Sequence, residues 1–138
     1  MDDATRCPCL SGETFGACCG PLLRGERPAP TAERLMRSRF TAFALHDDAW
    51  LLATWHPSTR PGDLELDPGT RWYRLDVLGT RAGGPFDDDG VVEFAAHHRS
   101  ADGAGVLHEV SRFVRERVPG DAGGPADRRW LYVDGDVG

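Results

Sequence analysis

The sequence of 138 residues contains no lysine, isoleucine, asparagine or glutamine. Lysine, isoleucine and asparagine have codons rich in A and T, so their joint absence indicates a G/C-rich genome. Without lysine, the chain cannot form a lysine Schiff base, use a lysine general base or bind phosphate through a P-loop lysine. Arginine is therefore its only cationic residue apart from histidine.

Long apolar segments are also absent. No run approaches the roughly 18–20 apolar residues that a membrane-spanning helix needs. Met1 is followed by two acidic residues, Asp2 and Asp3, whereas a signal peptide begins with positive charge. These features predict a cytoplasmic protein without a membrane segment.

Acidic residues outnumber basic ones by 22 to 16, which gives a formal net charge of −6. Phosphate binding needs clustered cations, so this balance disfavours a nucleic-acid partner. Apolar residues make up 40% of the chain, enough for a packed core at this length. The composition therefore predicts one compact domain with a small appendage.

All four cysteines lie close together near the N-terminus, at Cys7, Cys9, Cys18 and Cys19. Four thiolates complete the tetrahedral shell of a structural Zn²⁺ and leave no open position on the metal. Two disulfides are the alternative in an oxidising compartment, but adjacent cysteines rarely bridge each other. The spacing favours a structural zinc site formed by these four residues.

Several sequence blocks resemble a known bacterial family. Residues 7–20 read Cys-Pro-Cys-x-Ser-Gly, five residues, then Cys-Cys-Gly, which resembles the SEC-C zinc motif. Residues 35–43, Leu-Met-Arg-Ser-Arg-Phe-Thr-Ala-Phe, and residues 54–60, Thr-Trp-His-Pro-Ser-Thr-Arg, follow in the order typical of the YchJ family. The segments 111–113 and 130–135 are similar to that family as well, so the resemblance covers nearly the whole chain.

The resemblance implies a zinc-binding motif over residues 1–24, a linker over 25–30 and a nuclear transport factor 2-like domain over 31–138. That domain is an α+β cone, in which N-terminal helices pack on a curved antiparallel sheet. Leu10 replaces the glycine that usually follows the second cysteine of the motif. This replacement predicts that the position does not need a positive φ.

Hydrophobic periodicity predicts two helices in the first half of the chain. Thr31 is a suitable N-cap for a helix that reaches about His46. A second, short helix is predicted to begin at Asp47 or Asp48 and to end at His56, before a proline.

The second half of the chain is predicted to form strands. Their spans are residues 71–80, 91–99, 106–117 and 130–134. Turn-forming residues separate them, including Asp102-Gly103 and the stretch from Pro119 to Pro125. Helices followed by strands predict an α+β fold with an antiparallel sheet packed on helices.

Arg39 is predicted to lie on the apolar face of the first helix, where a guanidinium needs an acceptor. It either forms an ion pair with a strand carboxylate, for which Glu109, Asp76 and Asp134 are the candidates, or lies at the floor of an anion-binding pocket.

Strand alternation places Glu109 beside apolar neighbours, as acid–base carboxylates often are. His56, next to Trp55 at a helix end, either caps carbonyl groups or acts as a general base. Arg37 belongs to the same helix block as Arg39. The candidate pocket residues are therefore Arg37, Arg39, Trp55, His56 and Glu109.

The sequence shows no Ser–His–Asp order, glycine-rich phosphate loop or HExxH motif. It favours a protein-interaction or ligand-binding module with a structural zinc ion, whose partner protein or small molecule is not specified. A small-molecule enzyme of the isomerase, hydratase or cyclase type is the alternative, because related folds carry such chemistry in the cone. Redox sensing by the metal-bound thiolates is a third hypothesis.

Overall fold

A computed structural model describes residues 1–118 and 127–138. The predicted turn between Pro119 and Pro125 lies outside the described residues. Within them, no helix is both long enough and apolar enough to cross a membrane.

The N-terminal segment folds into a knuckle, which we define as residues 1–24. A short antiparallel bridge joins Arg6 to Thr14, and a single 3₁₀ turn follows at Phe15–Ala17. The segment ends in helix α1, Cys19–Leu23. These turns bring the two cysteine pairs together.

Helix α2, Ala32–Leu45, is the central element of the fold. Its predicted N-cap is confirmed, since the Thr31 side chain accepts a hydrogen bond from the Arg34 amide at 3.1 Å. The helix ends at His46, which adopts the left-handed conformation with φ 58°.

Helix α3, Asp48–Ala53, begins as predicted but ends three residues before His56. The Asp47 side chain caps its first turn by accepting from the Trp50 amide. Beyond Thr54 the backbone pairs with Tyr132 instead of continuing the helix: the Tyr132 amide donates to Thr54 and the His56 amide donates to Tyr132. This tertiary pairing explains why the predicted end was wrong.

Four strands form one antiparallel sheet in the order β1-β2-β3-β4. Their bounds are β1 Arg71–Ala82, β2 Asp89–Ser100, β3 Gly103–Val118 and β4 Asp127–Val137. All four predicted strands are confirmed, and each extends beyond its predicted span. Irregular register in β1 and between Arg112 and Phe113 marks bulges, which bend strands locally.

Helix α2 packs on one face of this sheet, against β1, β2 and β4. The core between them continues without a break into the knuckle. Its largest buried members include Phe15, Leu35, Phe40, Phe113 and Trp130. The cysteine segment is therefore part of the main core rather than a separate appendage.

Candidate metal centre and cavity

Four buried thiols meet at one point beneath the surface of the knuckle. The sulfur atoms of Cys7, Cys9, Cys18 and Cys19 all lie within 4.8 Å of one another, and none forms a disulfide. The Cys9 and Cys18 sulfurs are 3.6 Å apart, and those of Cys18 and Cys19 are 3.9 Å apart.

These distances match a four-coordinate metal. A tetrahedral zinc ion with Zn–S bonds of about 2.3 Å places its sulfur ligands about 3.8 Å from each other. The donor set consists of sulfur alone, which suits Zn²⁺ or iron–sulfur chemistry and not Mg²⁺ or Ca²⁺. Two of the sulfur–sulfur distances lie close to this value, so the cluster could hold a metal ion.

The thiols also perturb one another's ionisation. Hydrogen bonds from Cys19 and Cys7 lower the pKa of Cys9, whereas donating such bonds to Cys7 and Cys9 raises the pKa of Cys19. Burial raises the pKa of Cys18 to about 11. Four thiolates cannot share this small buried volume without a cation, which is the role a metal would fill.

Polar groups around the cluster hold it in place. The Ser11 hydroxyl lies 3.2 Å from the Cys18 sulfur, and the Thr41 hydroxyl of α2 donates to the Cys19 sulfur at 3.3 Å. Hydrogen bonds of this kind orient metal ligands and tune their basicity.

Arg37 is one of the polar groups around the cysteine cluster and does not line the cavity. Its Nη1 donates to the backbone carbonyl of Cys9 at 2.9 Å, and its Nε pairs with Glu33 one turn earlier on α2. The structure thus corrects the prediction that Arg37 lines the cavity, because its side chain leaves α2 on the side of the knuckle.

The prediction for Leu10 was wrong. Its φ is 60°, so this position does need the left-handed conformation that favours glycine. The turn is required because the Leu10 amide donates back to the Cys7 carbonyl at 3.0 Å. The side chain is 43% exposed, so leucine is tolerated there without displacing its neighbours.

A cavity of about 220 Å³ lies between α2 and the sheet. Aromatic rings provide most of its walls, with contributions from Phe40, Phe43, Trp55, Trp72, Phe94, Phe113 and Tyr132. Polar side chains reach it from Arg39, Glu109 and Ser111. Three of the five predicted pocket residues, Arg39, Trp55 and Glu109, therefore meet at one cavity.

Arg39 is 6% exposed and is placed on the apolar face of α2, as predicted. Its Nη1 donates to the Leu51 carbonyl at 2.8 Å and to the Thr54 hydroxyl at 2.7 Å. The guanidinium lies over the rings of Trp55 and Tyr132, at 5.1 and 4.5 Å from their centroids. Desolvation lowers the pKa of Arg39 to about 10, so it stays protonated at neutral pH.

The predicted ion pair of Arg39 is not observed. No carboxylate among residues 1–117 and 128–138 forms a salt bridge with it, although the pKa of Arg39, which burial lowers, is partly restored by the charge of Glu109. Asp76 pairs with Arg74 and His97, while Asp134 pairs with Arg112 on the opposite face of the sheet. Neutral acceptors at the end of α3 and two aromatic faces replace the expected carboxylate.

Glu109 is the acidic group of the cavity. Its Oε2 accepts from the Ser111 hydroxyl, and from the Tyr132 hydroxyl at 3.2 Å. Burial and the nearby Glu109 raise the pKa of Tyr132 to about 12. Gly135 leaves room for this carboxylate, since a Cβ there would overlap Oε2 of Glu109.

His56 lies outside the cavity, which corrects its prediction as a pocket residue. Its Nδ1 lies 2.7 Å from the Ser58 hydroxyl and its Nε2 lies 2.9 Å from a Glu116 oxygen. The Ser58 amide also donates to Nδ1, which fixes the turn after α3. His56 is therefore next to Trp55 in sequence, but its ring is engaged by Ser58 and Glu116 outside the cavity.

Sequence reasoning missed Tyr132, Ser111 and Thr41 as functional candidates. Alternation along the predicted strands could have indicated Ser111, which shares a face with Glu109. Tyr132 and Thr41 carried no such signal, because a tyrosine in a strand and a threonine in a helix are ordinary core residues.

The cysteine cluster and the helix-covered sheet together define a class of protein. A protein-family model for the SEC-C motif matches residues 5–21, and a model for the middle, nuclear transport factor 2-like domain of YchJ matches residues 31–135. The fold is therefore a nuclear transport factor 2-like α+β domain preceded by a SEC-C motif, as the sequence predicted.

The chain belongs to the YchJ family, whose curated members are named UPF0225 proteins. A UPF0225 protein of Corynebacterium glutamicum is 49% identical over 132 residues, which cover 96% of this chain and 97% of that protein. One from Streptomyces coelicolor is 48% identical over 130 residues, 94% of each chain.

The fold is also found in a solved structure at appreciable identity. The solution structure of a SEC-C motif-containing protein from Rhodopseudomonas palustris has a TM-score of 0.74 and 34% identity. The match covers 94% of this chain and 96% of that one.

Proposed function

We propose that this protein is a small-molecule-binding module whose four cysteines hold a structural Zn²⁺. The proposal rests above all on Arg39, a buried cation that lines an aromatic cavity and forms no salt bridge with a described carboxylate, although its pKa, which burial lowers, is partly restored by the charge of Glu109 in the same cavity. Buried donors that lack an acceptor are costly, and only Nη1 of Arg39 donates to described residues, so a ligand that accepts from its other N–H groups would bind favourably.

The zinc assignment rests on the all-sulfur donor set and on its tetrahedral spacing. Four protein ligands leave no open coordination position, so the ion supports the fold and takes no part in chemistry. Such thiolates stay reduced in the cytoplasm, which is where we place the protein.

Native mass spectrometry of protein purified from its own organism tests both assignments together. We expect one zinc ion and a retained small molecule in the wild type. Cys18→Ser removes a sulfur ligand and is expected to lose the zinc ion. Leu107→Trp fills the cavity, since Leu107 lines it, and is expected to lose the small molecule while keeping zinc.

The two variants serve as controls for each other, because each is aimed at one site only. A wild-type protein that carries zinc but never a small molecule, under conditions that preserve weak complexes, would contradict the binding function. A wild-type protein that carries an iron–sulfur cluster would contradict the zinc assignment.

A proton-transfer enzyme is a second candidate, favoured by the hydrogen bond from Tyr132 to Glu109 inside the cavity. A carboxylate beside a phenol in an apolar site suits proton transfer at a carbon atom. An enzyme of this kind would exchange a carbon-bound hydrogen of its ligand with D₂O, and Glu109→Gln would abolish the exchange. Equal exchange in wild type and variant would leave only the binding role.

A further inference from the structure

The size of the cavity limits its ligand. Cavities that enclose drug-sized molecules measure roughly 300–1,000 Å³, whereas this one measures about 220 Å³. Rings from α2, from the segment after α3 and from all four strands face it, so a flat body makes the best contact with its walls. A compound with one aromatic ring fits both constraints.

The positive side of the cavity has donors to spare. Both protein hydrogen bonds of Arg39 use Nη1, and within the part of the chain that the structure describes its Nε and Nη2 form none. Guanidinium N–H groups bind oxygen acceptors well in a desolvated site. A ligand oxygen near Arg39 would therefore use donors that the protein leaves free.

The negative side has a spare acceptor. Ser111 and Tyr132 both donate to Oε2 of Glu109, and no donor among residues 1–118 and 127–138 reaches its Oε1. An ionised carboxylate accepts hydrogen bonds at both oxygens. A ligand N–H or O–H would therefore be matched at this end.

The two charges also select against a charged ligand. A simple anion would pair with Arg39 but would bring its charge close to Glu109, and a simple cation would face the reverse problem. A neutral group that offers an acceptor to one side and a donor to the other avoids both costs. The amide group is the smallest planar group with this pattern.

We propose that the cavity binds a neutral, single-ring aromatic amide, whose carbonyl oxygen accepts from Arg39 and whose N–H donates to Glu109. This inference rests on the proposed binding function and specifies its ligand class. The ring lies among the aromatic walls, and the amide group lies at the polar end formed by Arg39, Tyr132 and Glu109.

Three probes share the same ring: benzamide, benzoate and toluene. Together they separate the contribution of ring contacts from the contributions of the amide hydrogen bonds and of ligand charge. Their dissociation constants are measured by NMR titration of the zinc-loaded full-length protein. Benzamide is expected to bind about tenfold more tightly than toluene, because it adds two buried hydrogen bonds of modest net value each. Benzoate is expected to bind less tightly than benzamide, because its charge faces Glu109.

Glu109→Gln is the sharpest variant, since it changes one atom and keeps the shape. The glutamine oxygen still accepts from Ser111 and Tyr132, but its free amide group now donates where Glu109 accepted. The preference is therefore expected to reverse, with benzoate binding more tightly than benzamide. Arg39→Met removes one of the two hydrogen bonds and is expected to reduce the preference for benzamide over toluene from about tenfold to about threefold, and circular dichroism checks that both variants fold.

The outcomes separate the inference from the function on which it rests. If toluene binds in the cavity as tightly as benzamide, the binding function stands and the amide inference is overturned. An unchanged preference in Glu109→Gln overturns the inference as well. If none of the three probes binds but the wild type purified from its own organism still retains a small molecule, the amide inference is overturned and the binding function stands; if no small molecule is retained either, the binding function itself fails.

Discussion

The knuckle and the cavity lie on two sides of the same helix and use polar groups in opposite ways. In the knuckle, four sulfurs point to one centre, and hydroxyls from Ser11 and Thr41 support them. In the cavity, Arg39 and Glu109 each keep hydrogen-bonding capacity that no described residue uses. The difference contrasts a closed cluster of four sulfurs, which could hold one metal ion, with a cavity whose polar groups keep unused capacity, as the proposed ligand site requires.

Loss of the metal should have the largest effect on stability, and the residues of the knuckle should lose their structure first. Cys18→Ser is expected to abolish zinc binding and to lower the free energy of unfolding by about 4 kcal/mol or more, since a structural metal is lost from a shared core. Urea unfolding and zinc content measure both effects. Glu13→Ala, an exposed change in the same loop, is the matched control.

That expectation can fail in an informative way. If Cys18→Ser unfolds at the same urea concentration as Glu13→Ala, the cluster contributes little to stability, and the comparison between a closed structural site and an open binding site breaks down.

Thr41→Val should have the next largest effect, because it removes the hydroxyl that α2 donates to the Cys19 sulfur while keeping the side-chain shape. Loss of such a supporting hydrogen bond lowers metal affinity about 10–100-fold. Competition with a chelator of known zinc affinity measures the change. Thr41→Ser keeps the hydroxyl and should bind zinc nearly as tightly as the wild type; equal losses in both variants would assign the effect to packing.

On the cavity side, Tyr132 should make stability depend on pH in the alkaline range. Its pKa is raised from 10.0 to about 12 in the folded protein, so the folded state binds the proton more tightly than the unfolded state. The stabilisation is present below about pH 10 and is lost as the pH rises from about 10 to about 12. Tyr132→Phe should lose this dependence in urea unfolding at a series of pH values; an identical slope in both proteins would contradict it.

Local signals in the sequence were sufficient to predict much of this architecture. The N-cap at Thr31, the apolar face of α2 and the strand alternation depend on near neighbours, and each was confirmed. The cysteine spacing likewise indicated a cluster, because both pairs lie in one short segment. Arg39 was placed correctly in the core for the same reason.

Tertiary contacts decided what the sequence could not show. The acceptors of Arg39 are a carbonyl and a hydroxyl at the end of α3, and a backbone carbonyl has no sequence signature. Arg37 and His56 are close in sequence to cavity residues but point to the knuckle and to Glu116. Residues that are neighbours in sequence can point in different directions. The prediction relied on closeness in sequence and therefore included two residues, Arg37 and His56, that do not line the cavity.

The smallest expected effect concerns Leu10, and it tests whether the knuckle can be improved without touching the cavity. A non-glycine residue at φ 60° costs roughly 1–2 kcal/mol, and glycine removes that strain. Glycine also increases the entropy of the unfolded chain, which offsets up to about 1 kcal/mol of the gain. Leu10→Gly is therefore expected to raise the free energy of unfolding by about 0.5 kcal/mol, measured by urea unfolding of the zinc-loaded protein. Leu10→Ala retains the strain and should not stabilise, so a gain in Leu10→Ala, or a loss in Leu10→Gly, would show that the exposed leucine side chain and not the backbone sets the energy of this turn.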